Sequence, residues 1–333
     1  MKKSLIAFAV LAASGVASAQ STVTLYGIAD VWLASKKADG LRQTEIGSGG
    51  INQSRFGLKG SEDLGGGLKA NFLLESGFNI DTGASSGYTN VAGATTDANL
   101  FSRQAYVGFA GGFGEAKLGK MWTAYDDISG MTHPGFDSAL SPQNNVWKST
   151  GYNGNPGNSV YYATPGFGGF SGAASYSLGE NKTATVDAGK IASVHAKYEG
   201  GPVYAGVAYQ TEKATGADDT KKFTRVNASY DLGVAKLLAG YGRVALADQR
   251  TTDWQAGADF PVTSALTLSG GYARSKDNAA AGDAKRTGLG LAVSYALSVR
   301  TSLYGGVQAS KGTKSGTPDV KTDIYAVGIR HTF

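Results

Sequence analysis

The last ten residues, Ile324-Tyr-Ala-Val-Gly-Ile-Arg-His-Thr-Phe333, alternate in character and stop on a phenylalanine. Tyr325, Val327, Ile329, His331 and Phe333 share one parity, and Ala326, Gly328, Arg330 and Thr332 share the other. A strand sends successive side chains to opposite faces. One face here suits lipid, while the other, carrying Arg330, suits water. A soluble edge strand seldom ends a chain on its most hydrophobic residue, so the pattern predicts a strand that crosses a membrane.

The same unit recurs from Thr22 onward: about ten alternating residues, then a Gly- or Asp-rich turn or a longer polar loop. Sixteen such segments can be placed, the first at Val23–Leu33, the second near Ile51–Ser61 and the last at Lys321–Phe333. The fourth and fifth, Leu100–Ala110 and Glu115–Met121, alternate poorly and are crowded with glycine, which suits packing against protein. Tight joints such as Asp231-Leu-Gly233 alternate with polar excursions such as Lys276–Arg286. Short turns on one rim and long loops on the other mark an outer-membrane barrel. An even count lets the last strand pair with the first and leaves no edge. Tyr176, Tyr209, Tyr230, Tyr272, Tyr295 and Tyr325 fall on the lipid-facing parity, several at the same end of their strands, as an interfacial girdle requires. A β-sandwich would need a second apolar layer, but the opposite faces carry Ser, Thr, Gly, Ala and charge.

The N-terminus agrees. Lys2 and Lys3, the apolar run Leu5–Ala13 and Ala17-Ser18-Ala19 make a secretory signal over residues 1–19, with the mature chain at 20–333. The run is shorter than the about 20 residues that span a bilayer. Export without a single cysteine calls for rigidity from another source, which a closed hydrogen-bonded barrel supplies. The formal charge of +5 includes the two leader lysines and is too mild to point to nucleic acid.

Particular stretches carry a family resemblance: Val23-Thr-Leu-Tyr-Gly-Ile-Ala-Asp30, the long run from Gln53-Ser-Arg-Phe-Gly-Leu-Lys-Gly-Ser-Glu-Asp to Ala70, Leu74-Glu-Ser-Gly-Phe78, Ser102-Arg-Gln-Ala-Tyr-Val-Gly108 and His331-Thr-Phe333. The chain resembles the trimeric general-diffusion porins of Gram-negative outer membranes, most of all their anion-preferring branch. The resemblance implies a 16-stranded antiparallel transmembrane β-barrel with an inward-folded third loop, which here must lie between Trp122 and about Gly157. It also implies a homotrimer, a setting of outer-membrane lipid and lipopolysaccharide, and passive traffic of small hydrophilic solutes and ions.

Such a pore needs a field across a narrow wet gap, and charged rings decide which sign passes. Parity turns Arg55, Lys59, Glu75 and Arg103 toward the lumen. The resemblance places Arg55 and Arg103 on the basic wall of a constriction, with Glu75 holding their guanidinium groups. Asp126 and Asp127 would supply the acidic side from the loop. Where anion-preferring relatives carry a further loop arginine, this chain reads Val146-Trp-Lys148, so Lys148 replaces it or the position is empty. Arginine suits the role because it stays charged and stacks beside other arginines.

Other functions fit less well. His133, His195 and His331 are the only histidines, and there is neither a Gly-x-Ser-x-Gly elbow nor a His-Glu-x-x-His motif, so neither catalysis nor a cofactor is expected. A plugged anchor or adhesin is disfavoured, because sixteen strands leave an aqueous channel. A sugar-specific pore would line its lumen with aromatics, and Tyr26, Trp32, Tyr161, Tyr204 and Tyr304 form no continuous track in the sequence.

Overall fold

The computed structural model describes residues 22–38, 40–86 and 99–333, so the leader lies outside the described residues. Those residues form seventeen strands: β1 (Thr22–Ala38), β2 (Leu41–Ser48), β3 (Arg55–Gly65), β4 (Leu68–Gly77), β5 (Gln104–Gly111), β6 (Gly114–Lys120), β7 (Ser159–Ala163), β8 (Phe170–Leu178), β9 (Lys190–Gly200), β10 (Val203–Lys213), β11 (Lys221–Asp231), β12 (Lys236–Leu246), β13 (Gln249–Pro261), β14 (Leu266–Asp277), β15 (Lys285–Ala296), β16 (Thr301–Thr313) and β17 (Val320–Thr332). From β3 to β17 each pairs antiparallel with the next, and β17 closes on β1 from Ile28↔Thr332 to Ala38↔Thr322.

The seventeen strands make sixteen staves. One flank of β1 pairs with β2 along Val31–Ala38 and with β3 along Thr22–Ile28, so β2 and β3 are one stave broken at residues 49–54. The break has a cause. Asp30, fully buried, accepts the amides of Gly50 (3.1 Å), Ile51 (3.0 Å) and Asn52 (2.8 Å) and the Tyr304 hydroxyl (2.5 Å). These amides therefore face a carboxylate instead of a neighbouring strand. The expected start of the second segment, Ile51, is four residues early for this reason. The alternation also gives no sign of β2, whose Arg42, Gln43, Thr44 and Glu45 resemble a loop.

Lipid-side and lumen-side faces separate as the alternation predicts. Val23, Leu25, Leu33, Val207, Leu289, Leu291, Val327 and Ile329 are exposed outside, whereas Ser175, Ser193, Gln210, Asn227, Gln255, Ser275 and Gln308 are buried inside. All six girdle tyrosines are exposed. They form two bands: Tyr230 and Tyr295 sit at the short-turn rim, and Tyr176, Tyr209, Tyr272 and Tyr325 in the half nearer the long loops. An amphipathic ring is stable at either interface, so one parity serves both. Lys120 shares the outward parity of Leu118 but avoids a bare charge by donating to the Asn155 carbonyl at 2.7 Å.

At the seam, Gly27 and Phe333 exchange backbone hydrogen bonds of 3.0 and 3.1 Å. The Phe333 ring lies where a Cβ on residue 27 would be, which explains the glycine.

The apolar core belongs to the long segment at 121–158, which folds into the barrel and follows its inner wall. Tyr125 N–H donates to Ser193 of β9 (2.6 Å), the Ser129 carbonyl accepts from Arg225 of β11 (2.9 Å), and Gly135 N–H donates to Ser269 of β14 (2.6 Å). Beyond these, the Asn144 carbonyl accepts from Gln308 of β16 (3.0 Å), and Ala139 N–H reaches the Gly50 carbonyl in the broken stave (2.8 Å). Leu140 packs with Trp32, Ala292 and Tyr304, and Tyr125, Ile128 and Tyr152 pack with Ala208 and Phe223. Burying Ile128 or Leu140 contributes about 1.5–3 kcal/mol each.

Inward glycines make room for this loop. A Cβ at Gly257 or Gly271 would strike Pro134, and one at Gly288 or Gly290 would strike the backbone of Leu140–Pro142. The Gly288→Val substitution is therefore expected to push that stretch off the wall. Single-channel conductance should rise and the thermal midpoint should fall, as planar-bilayer recording and a circular-dichroism melt would show.

Candidate functional site

Three of the residues singled out in the sequence meet on one side of the lumen. Glu75, on β4 and almost wholly buried, receives Arg103 Nε at 2.7 Å through Oε1 and the Tyr26 hydroxyl at 2.8 Å through Oε2. Arg55, the first residue of β3, brings Nε to 3.6 Å from Oε2. Arg103 precedes β5 and is fixed on every side: its guanidinium lies 5.1 Å from the Trp122 ring centroid, and one Nη donates to Gln53. Gln53 in turn donates to Ser86 at 2.6 Å. Two guanidinium groups thus share one carboxylate. The group keeps a positive balance, and the Arg55 side chain remains 22 % exposed. Charge-assisted bonds of this kind hold the geometry firmly.

The loop residues separate. Asp126, in a 3₁₀ turn at Asp126–Ile128, is partly covered and accepts the Tyr152 hydroxyl at 2.6 Å. Burial, with help from Asp127 and Asp137, raises its carboxyl to about 7 against the pull of Tyr152 and Arg225. Asp127 accepts the Tyr161 hydroxyl at 2.7 Å and lies 3.5 Å from His195 Nδ1. Its confinement against the barrel wall raises its carboxyl too, opposed by Tyr161 and His195. Lys148 is exposed, and its backbone amide is tied, with that of Ser149, to Asp253 of β13 (3.0 and 2.7 Å). Asp126, Asp127 and Lys148 do not touch the Arg55–Glu75–Arg103 group.

Sequence reasoning missed Arg225. Its side chain is fully buried on β11 and lies 5.5 and 5.2 Å from the Tyr125 and Trp147 ring centroids. One Nη donates to the Ser129 carbonyl (2.9 Å) and faces His133 Nε2 (3.0 Å), while His133 Nδ1 pairs with Asp137 at 2.5 Å. Strand parity alone turns Arg225 inward, but only the path of the loop reveals that it anchors the loop. Tyr26 and Gln53 are likewise legible as inward polar residues, though not as partners of Glu75 and Arg103.

The closed barrel, the polar lumen and the loop along its wall are what a diffusion channel requires. The family model for Gram-negative porins matches residues 6–315. The chain is a Gram-negative porin. It is 35% identical to outer membrane porin protein 32 of Delftia acidovorans and 28% identical to an outer membrane porin protein of Bordetella pertussis, with both chains covered in full in each case. Among solved structures it is similar to the anion-selective porin from Comamonas acidovorans, with a TM-score of 0.81 at 28% identity, covering 94% of this chain and 100% of that one. This porin therefore resides in the outer membrane and forms a water-filled channel for passive diffusion of small hydrophilic solutes and ions.

Removing the shared carboxylate by Glu75→Gln should leave two guanidinium groups uncompensated and cost about 3 kcal/mol of stability. The same change should shift the zero-current potential further toward chloride, so the porin would become less stable and more anion-preferring together. Asp126 gives a pH effect. Its carboxyl binds a proton more tightly folded than unfolded, so its contribution to stability is complete below about pH 4 and is lost as pH rises to about 7. Melts of Asp126→Asn between pH 4 and 8 should lack that decline.

Proposed function

We propose that this porin is a general-diffusion channel with a mild preference for anions, its constriction formed by Arg55, Glu75 and Arg103 on the wall and by Asp126, Asp127 and Lys148 on the loop. The observation that supports this best is the sharing of Glu75 by two arginines, because it leaves positive charge on a lumen wall with a partly exposed Arg55. A permeating anion there replaces part of its hydration with guanidinium contacts, whereas a cation meets repulsion. The anion-selective character of the Comamonas acidovorans relative agrees with this reading. Asp126 and Asp127 set the opposite sign on the loop side and keep the preference mild. Lys148, exposed in the same loop, adds positive charge there.

On this reading the porin works as a homotrimer among outer-membrane lipids and lipopolysaccharide, after removal of residues 1–19, and carries out no catalysis. A solved relative from Vibrio cholerae is described in a trimer form. Planar-bilayer recording in a potassium chloride gradient tests the proposal. Openings should come in threes, with a zero-current potential on the chloride side that Arg55→Ala and Arg103→Ala each move toward zero. Cation preference in the unmutated porin would overturn the charge assignment.

A further inference from the structure

Glu212 and Lys221 stand directly opposite each other across β10 and β11, where the two strands give way to the loop at 214–220. Both share the inward parity of Gln210 and Phe223, so their side chains leave the same face of the wall. Opposite charges at such a cross-strand pair ordinarily close on each other, because the Cβ atoms are only about 5 Å apart. Here they do not. Glu212 Oε1 accepts the Asn153 backbone amide at the end of the inward loop (2.6 Å) and the Gln210 side-chain amide (2.8 Å). The Lys221 ammonium lies over the Phe223 ring, 5.0 Å from its centroid. Among the described residues neither charge has an ion-pair partner, and Glu212 Oε2 takes no hydrogen bond although it is not sealed from solvent.

The split pair borders a cavity of about 1140 Å³, enclosed by the end of the inward loop, the long-loop ends of β8, β9 and β10, and the loop at 214–220. Pockets for small organic ligands measure about 300–1,000 Å³, so a solute and its water both fit. Ile191 and Leu246 line the same cavity on the inward parity of their strands and offer an apolar surface. Asp218 and Asp219, on the loop above, are exposed, and neither pairs with Lys221. In the closed sheet β10 and β11 lie across the barrel from β3, β4 and β5, and so from the Arg55–Glu75–Arg103 group.

We infer that Glu212 and Lys221 form a binding subsite for small zwitterionic solutes at the long-loop mouth, with apolar amino acids as the class that fits. The ammonium of the solute meets Glu212 Oε2, its carboxylate meets the Lys221 ammonium, and its side chain rests on Ile191 and Leu246. Both polar contacts are charge-assisted, and they leave the bonds of Glu212 to Asn153 and Gln210 in place. A plain anion gains Lys221 but is repelled by Glu212, and a plain cation meets the reverse. The pair therefore selects a dipole rather than a sign, and the subsite does not depend on the ion preference proposed for the arginine wall.

Saturation-transfer NMR of L-leucine titrated against the detergent-solubilised porin tests the inference, with circular dichroism of each variant as the folding control. L-leucine is expected to bind in a saturable way. Leucinamide, which lacks the carboxylate, and 4-methylpentanoate, which lacks the ammonium, should each bind about tenfold more weakly, the worth of one charge-assisted hydrogen bond. Lys221→Met keeps the stem over the Phe223 ring and removes the charge, and should raise the L-leucine dissociation constant about tenfold. Glu212→Gln keeps an acceptor for Asn153 and should raise it by a similar factor. Lys59→Gln, which removes an exposed lumen charge on β3, should change it less than about twofold, as expected for a screened field alone. If Glu212→Gln fails to fold, Lys221→Met decides alone, since Lys221 holds no hydrogen bond or ion pair among the described residues. An L-leucine signal that does not saturate, that 4-methylpentanoate matches, or that Lys221→Met leaves unchanged would overturn the subsite.

Discussion

Lipid offers no hydrogen bonds, and the rest of this structure follows from that. Every amide and carbonyl of a spanning strand must be paired within the protein, and only a closed sheet does so without an edge. Closure then fixes side-chain placement, because alternate residues face hydrocarbon and water all the way round. The exposed valines and leucines outside and the buried serines, glutamines and asparagines inside are two readings of one backbone requirement. Where the stave of β2 and β3 breaks, Asp30 supplies the acceptor that a neighbouring strand would otherwise give.

A sixteen-stave barrel without filling would be a wide hole. The segment at 121–158 fills it from one side, and the wall is built to receive it. Serines at 193 and 269 present hydroxyls to its amides, Asp253 holds two more, and glycines at 257, 271, 288 and 290 leave space for Pro134 and for Leu140–Pro142. Arg225 adds a buried cation fixed by two rings, a carbonyl and His133. On the reading proposed above, the arginines around Glu75 border what remains open. On that reading, pore size and pore charge come from different parts of the same cylinder.

The fold is legible in the sequence because strand parity is a local signal repeated in every stave. Arg55, Glu75 and Arg103 are legible as inward residues for the same reason, and the resemblance to porins puts them together. What escapes depends on tertiary contacts that no period encodes. β2 is hidden because its polar residues pair with a long first strand through a register, Ala38↔Leu41 to Val31↔Ser48, that no local period encodes. Arg225 and Arg330 both have the right parity, yet one is covered by a loop and the other keeps a buried Nε without an acceptor, and neither fate shows in a stretch of ten residues. The inward glycines of β12–β15 look like weak strand formers, though their role is to clear a path.

The seam has a consequence for assembly. Phe333, the final residue, supplies both backbone bonds to Gly27 and the ring that covers it. Without that residue the β1–β17 pairs from Ile28↔Thr332 to Ala38↔Thr322 would remain, but Gly27 at the rim would lose both backbone partners and the ring over it. An unpaired amide and carbonyl at a lipid boundary cost free energy, so the joint would open from that rim first.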